Sequence, residues 1–353
     1  MSVLTTMVIA FFGGVVATAI GALGTVILCA FVALIGVFAM MAGCGFNIVM
    51  SFAFGLFFAP HAGLGPATVA NNYAKKKGLV EDSKNIAFPL TVLGRADVLI
   101  VGGVFAVIAW YINVFLSEHL AGKLDTVSTA IVVIGMISKL LWGNEGLTGK
   151  VPEGDRRFGV NSPNKWMPHM PYGNGLFYWL FGGGVGLLSA WLYWEISEYA
   201  KQVGSPLIAS IAIFPMFALA VISLTLMCSG LPCPVFHHTG MVGAYAAMTA
   251  YNAGCSQERV LLWGFACGIF AHFAGDILAD LFEVYGDGYV DPPSMAMAFC
   301  SVFTWDLFPV MGLYNADSAI SVIAPAVIVC LFGVFAIIVQ RKRDAEIRAA
   351  EAI

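Results

Sequence analysis

The sequence predicts an all-α polytopic membrane protein. About eleven spans form two inverted five-span repeats plus one C-terminal helix, with broken, re-entrant helices at spans three and eight. Three observations carry this reading. Of 353 residues, 59% are apolar or aromatic and only 11% are charged, and the mean hydropathy is +0.86; a soluble domain carries about 25% charged residues. Apolar stretches of roughly 18 to 25 residues recur along the chain, the length needed to cross about 30 Å of hydrocarbon. Finally, one pattern of residues occurs twice, half a chain apart.

The repeated pattern starts at a glycine-rich break. Pro60-His61-Ala62-Gly63-Leu64-Gly65 corresponds to His237-His238-Thr239-Gly240-Met241-Val242-Gly243. Each break has a histidine two residues before a glycine and interrupts an apolar stretch. Tyr73 and Tyr251 follow, then Asp97 and Asp276. The offsets for His, Gly, Tyr and Asp are 177, 177, 178 and 179. Asp125-x-x-Ser128 and Asp291-x-x-Ser294 form a further pair at an offset of 166, each placed to cap a helix start.

In chain order, spans are expected near 3–21, 23–42, 46–74, 89–115 and 126–143, forming a first repeat over 1–143. A polar connector rich in Gly, Pro and Asn follows at 144–173. The second repeat, 174–313, holds spans near 174–194, 206–228, 231–252, 259–282 and 292–313. The remainder, 314–353, is a last helix near 318–340 and a basic tail from Arg341. Five spans per repeat is an odd number, so the second copy enters the membrane from the opposite side. The first segment lacks a basic leader and reads as a retained helix rather than a signal peptide.

Lys and Arg set the orientation, because cytoplasmic loops carry their excess. With the N-terminus outside, twelve of them fall in inner loops and three, Lys123, Lys201 and Arg259, in outer ones. The expected placement is therefore the plasma (inner) membrane, N-terminus out and C-terminus cytoplasmic. Lys139, near the inner end of the fifth span, is expected to snorkel to the interface.

Glycine clusters at membrane depth free backbone N–H groups, which must be buried in protein or line a wet cavity. Pro66 suits the first residue of a restarted helix, and Thr239 suits the cap of one beginning at Gly240 or Met241. Pro232 and Pro234 stop regular helix before it. Two inverted half-helices would aim their positive ends at one centre and attract an anion. The expected substrate contacts are His61, Gly63, Gly65, His237, His238, Thr239, Gly240 and Gly243. The competing reading has the glycines serving close helix packing alone. Ionisable residues within spans are expensive and usually face a cavity. Arg95, Asp97, His272, Asp276 and Asp280 are thus expected to couple or gate; the last three share one helical face.

Several classes are excluded or set back. The net charge of −4 is small and spread out, so nucleic acid is not an expected partner. The eight cysteines form no CxxC pair. No nucleotide loop, nucleophile elbow or zincin motif occurs, so no enzyme activity and no cofactor are expected. The five-plus-five-plus-one layout is similar to that of ammonium channels, and the five-span half to that of urea channels. Those channels share no motif with this chain; ammonium channels place paired histidines in the fifth and tenth spans, not the third and eighth.

The expected function is secondary transport of a small anionic solute, coupled to protons or sodium, with the bilayer and the solute or ion as partners. A passive channel for a neutral or cationic solute is the alternative, followed by a transition-metal transporter or membrane-embedded metalloenzyme. Glycine runs such as Gly182-Gly183-Gly184 could also pack against a second copy, giving a homo-oligomer.

Overall fold

A computed structural model describes residues 1–154, 156–158, 175–231 and 233–351. Most of the connector and Pro232 therefore lie outside the described residues. Among those described, the regular structure is helical throughout, without strands. Six helices are long and apolar enough to cross a membrane: α1 (Val3–Ile20), α2 (Ala22–Met41), α4 (Ala96–Leu120), α6 (Gly175–Gln202), α11 (Gln257–Phe282) and α14 (Ile320–Glu351). Their outward faces are strongly apolar, with Leu4, Phe12, Phe38, Leu180 and Leu331 more than half exposed. Apolar surface on this scale is the mark of an integral membrane protein.

The other five expected spans are shorter or interrupted. The third dissolves into a π-helical turn at Val49–Ala53, irregular turns, and α3 (Leu64–Lys76). The fifth is α5 (Thr126–Trp142). The seventh is three short helices: α7 (Pro206–Ala209), α8 (Phe214–Ile222) and α9 (Thr225–Cys228). The eighth is α10 (His237–Asn252), preceded by non-helical chain. The tenth is α12 (Pro292–Val302), a π-helical turn at Phe303–Leu307, and α13 (Phe308–Val310). Helix is thus lost across Pro60–Gly63 and again just before His237, while the second glycine-rich stretch, His237–Gly243, lies within α10.

Local chemistry sets the boundaries. Gly21 takes φ +96° to turn α1 directly into α2, a conformation that L side chains rarely adopt. Asp125 caps α5, and Asp291 caps α12 with Pro292 and Pro293 in its first turn. Two caps differ from expectation. α3 starts at Leu64, so Pro66 is its third residue. α10 starts at His237, so Thr239 lies inside its first turn and does not cap it; its hydroxyl meets His272 Nδ1 at 3.0 Å instead.

The packing has a repeating scheme. α1 packs on α3 and α4, as α6 does on α10 and α11. α3 packs on α4 and α5, as α10 does on α11 and α12; α4 packs on α5 as α11 does on α12. Small residues let backbones approach in both sets. A Cβ on Gly14 would meet Gly102 O at 2.6 Å, and one on Gly243 would meet Gly186 Cα at 2.7 Å. Between the sets, α2 packs on α8 and α5 on α12. Asp125 N donates to Ser301 Oγ (2.7 Å), while Gly135 lies against Val290, so α5 and α12 run antiparallel. α14 packs on α6 and α11.

Candidate functional site

A cavity of about 770 Å³ lies between the two helix sets, and both contribute to its wall. This is within the range of sites for small organic molecules, roughly 300–1,000 Å³. Its lining is mainly apolar and aromatic, including Phe54, Trp110, Phe214, Phe217 and Trp305. It reaches exposed residues in three places: Ser117, Ala121 and Gly122 near Asp125, Asn85 and Ala87 beside Lys84, and Met50 in the π-helical turn at Val49–Ala53.

Two matched carboxylates stand in this wall. Asp125 accepts from Ser128 N (3.0 Å), Ser128 Oγ (2.6 Å) and Tyr245 Oη (2.7 Å). Asp291 accepts from Ser294 N (2.9 Å), Ser294 Oγ (2.5 Å) and Tyr289 Oη (2.8 Å). Both are buried, at 8% and 5% exposure. Because α5 and α12 are antiparallel and offset by some ten residues, the helical rise puts the carboxylates about 15 Å apart along the pair. The sequence signal was the Asp-x-x-Ser pair, which reads as helix capping. It is capping, and the same carboxylates also face the cavity.

The expected histidines divide. His61 lines the cavity at 2% exposure and stacks on Trp110 with centroids 5.2 Å apart. Neither of its ring nitrogens has a hydrogen-bond partner among the described residues. His237 also lines the cavity, and its Nδ1 is likewise unpartnered there. His238 instead stacks on His272 at 5.8 Å, away from the cavity wall.

The glycines are placed behind the wall, and their amides are engaged. Gly63 N donates to Ala59 O (2.8 Å), Gly65 N to Pro60 O (2.9 Å) and Gly240 N to Phe236 O (3.0 Å). Gly240 and Gly243 lie against Met216 and Gly186. These contacts are those of the packing reading.

The expected coupling residues also lie outside the cavity lining. Arg95 and Asp97 form a two-pronged ion pair at 2.9 Å at the exposed start of α4, where Tyr73 Oη joins Asp97 at 3.0 Å. Asp97 opens its helix, whereas Asp276 lies in the last two turns of α11 and accepts from Tyr178 Oη (3.0 Å). The two aspartates are therefore not equivalent in position. The Asp280 backbone carbonyl receives Arg157 Nη1 (2.9 Å), which ties a described residue of the connector to the end of α11. Among the described residues no group of three or more His, Cys, Asp or Glu is placed to hold a metal.

Beside Asp291, the segment between α11 and α12 is strapped to the first helix set. Asn72 exchanges two bonds with the Tyr289 backbone (2.7 and 3.0 Å) and reaches Ser138 Oγ (2.8 Å). Lys84 Nζ donates to Val284 O (2.8 Å) and lies 3.9 Å from Glu283. Asn144 N donates to Asp287 Oδ2 (2.7 Å). Lys139 does not snorkel: it is fully buried and donates to Phe282 O at 2.5 Å, where α11 exposes its last carbonyls. Burial pushes the Glu283 carboxyl up to about 7, against the opposing pull of Lys84 and Lys139.

With this arrangement in view, residues 1–161 and 164–323 match a family model described as "Family of unknown function (DUF7973)". The chain belongs to the DUF7973 family. No curated protein matches, and no solved structure does. The junction between the two matched stretches falls in the connector, and each stretch holds one Asp-x-x-Ser cap and one glycine-rich break.

Proposed function

We propose that this chain is a membrane transporter that carries a small solute through the cavity between its two helix sets. The observation that carries the reading is a solute-sized cavity, walled by both sets, that reaches exposed residues near both Asp125 and Lys84. Transporters built from repeats hold their substrate at such an interface. The two family matches of similar length, the recurring contact scheme and the antiparallel α5–α12 pair support two inverted five-segment repeats plus α14. Inversion also fits the charge asymmetry of the loops, with an outer N-terminus, a cytoplasmic C-terminus and the plasma (inner) membrane as the site.

The reading moves away from an anionic solute. Attraction of an anion rested on unpaired glycine amides, and those of Gly63, Gly65 and Gly240 are donated within the chain. Carboxylates occupy the wall in their place. A neutral or cationic solute is therefore favoured, and both coupled transport and passive conduction suit the same pathway.

Uptake into proteoliposomes containing the purified chain tests the proposal. Solute accumulation above that of empty liposomes is expected, and its dependence on an imposed proton or sodium gradient separates coupled transport from a channel. Failure of every neutral and cationic solute in a broad panel to enter faster than in empty liposomes would overturn it.

A further inference from the structure

We infer that the cavity binds a monovalent organic cation: an ammonium group on an apolar, partly aromatic body. The inference rests on reading this cavity as the solute site. Its starting point is an unbalanced charge. Asp125 and Asp291 are both buried, and among the described residues each is held by neutral donors alone: a serine amide, a serine hydroxyl and a tyrosine hydroxyl. Neither has an ion-pair partner among the described residues. Buried charges are ordinarily paired, because transferring an unpaired carboxylate from water is costly. The lysine that reaches the cavity, Lys84, directs its Nζ to Val284 O and Glu283. The countercharge is therefore left for a mobile ligand to supply.

A second, independent observation points to a ligand. His61 is buried at 2% exposure and lines the cavity, yet both its ring nitrogens lack partners among the described residues. His237 adds an unpartnered Nδ1 at 8% exposure. Buried polar atoms are nearly always hydrogen-bonded, and exceptions call for an explanation. A neutral imidazole offers one acceptor nitrogen, suited to an ammonium N–H.

The rest of the wall decides between a bare ion and an organic one. An inorganic cation needs a tight shell of oxygens at about 2.0–2.6 Å. Here a cavity of about 770 Å³ is lined mostly by apolar and aromatic groups. Trp110, Tyr245, Tyr289 and Trp305 line it together with the carboxylates. Aromatic faces attract ammonium groups, and the pull strengthens where water is excluded. The two carboxylates give such a solute two stations along one path.

The test uses the full chain in lipid nanodiscs and isothermal titration calorimetry with three probes: 3-phenylpropylammonium, 3-phenylpropanoate and sodium chloride alone. The amine is expected to bind at least about tenfold more tightly than the carboxylate of the same shape, a difference of 1.4 kcal/mol. Asp125→Asn and Asp291→Asn should each weaken the amine by about tenfold or more, and Asp97→Asn, outside the cavity, should not change it. Equal or tighter binding of the carboxylate, binding of sodium only, no binding of the amine, or unchanged binding in both cavity variants would each overturn the inference. The wild-type comparison stands even if a variant does not fold. Uptake of an anion would sink the inference and leave transport standing; amine binding without uptake of any solute would do the reverse.

Discussion

Tyr245 donates its hydroxyl hydrogen to Asp125 across the two helix sets at 2.7 Å, whereas Asp291 receives that of Tyr289, two residues away in its own chain segment, at 2.8 Å. The two carboxylates are matched in their caps but not in their tyrosines. One is latched directly to the other half. The other is latched through the Tyr289 backbone, which Asn72 of the first set holds. If the chain transports as proposed, releasing one latch while the other holds would open one side of the cavity only.

Removing the direct latch should register in both stability and transport. Tyr245→Phe keeps the ring against Trp305 but deletes the donor to a buried carboxylate. Hydrogen bonds to charged groups contribute about 1.5–3 kcal/mol. The expected outcome is a lower melting temperature in detergent and altered solute uptake. Unchanged values of both would show that the contact does not matter.

Glu283 gives the strap beside Asp291 a pH dependence. Its carboxyl is raised from the ordinary range to about 7, burial being the main cause. The native state therefore holds a proton that the unfolded chain releases from about pH 4.5 upward. Stability from this group is full below that point and declines until about pH 7, where the native carboxyl ionises too. Thermal melting in detergent across that window should show the decline in the wild type and a flatter profile in Glu283→Gln. Matching profiles would remove Glu283 as the cause.

Asp97 and Asp276 test the coupling role expected from the sequence. Asp97 sits at an exposed helix start with Arg95 as partner, and Asp276 is bonded to Tyr178 outside the cavity lining. Neither residue lines the cavity. Asp97→Asn and Asp276→Asn are each expected to retain uptake and its pH profile in proteoliposomes. Loss of gradient dependence in either would restore the aspartates to the mechanism.

The glycine seams bring helix backbones into close contact. A Cβ on Gly243 would stand 2.7 Å from Gly186 Cα and 2.9 Å from Gly186 O, both backbone atoms that cannot step aside. Overpacking of this kind costs typically about 1–3 kcal/mol. Gly243→Ala should lower the melting temperature by several degrees, while the amine affinity of the folded fraction is kept. A variant that melts like the wild type but loses binding would reverse the assignment.

How much of this was legible in the sequence follows from length scales. Long apolar runs such as 96–120 and 257–282 read as helices because every turn agrees. The helix breaks were legible at Pro60–Gly65 and before His237, since proline and glycine act locally. What the amides and hydroxyls do there was not. Gly63 N turns back to Ala59 O, and Thr239 reaches His272 thirty-three residues on. The Asp-x-x-Ser caps were visible, but that they face one cavity depends on α5 and α12 crossing, which no local pattern encodes. Lys139 was misread for a related reason: its partner, Phe282 O, lies 143 residues away in sequence.

The odd number of crossings proposed above has a direct consequence for the two termini. Ser2 is exposed just before α1, Lys77 just after α3, and Arg341 in the last third of α14. With the native cysteines replaced by serine or alanine, Ser2→Cys, Lys77→Cys and Arg341→Cys each offer a single thiol. On intact cells, a membrane-impermeant maleimide is expected to label Ser2→Cys alone; Lys77→Cys and Arg341→Cys should react only after permeabilisation. This follows from the excess of lysine and arginine in the loops assigned to the cytoplasm. Labelling of Ser2→Cys and Arg341→Cys from the same side would require an even number of crossings. Two repeats of equal span number together cross an even number of times, so that outcome would mean that α14 does not cross.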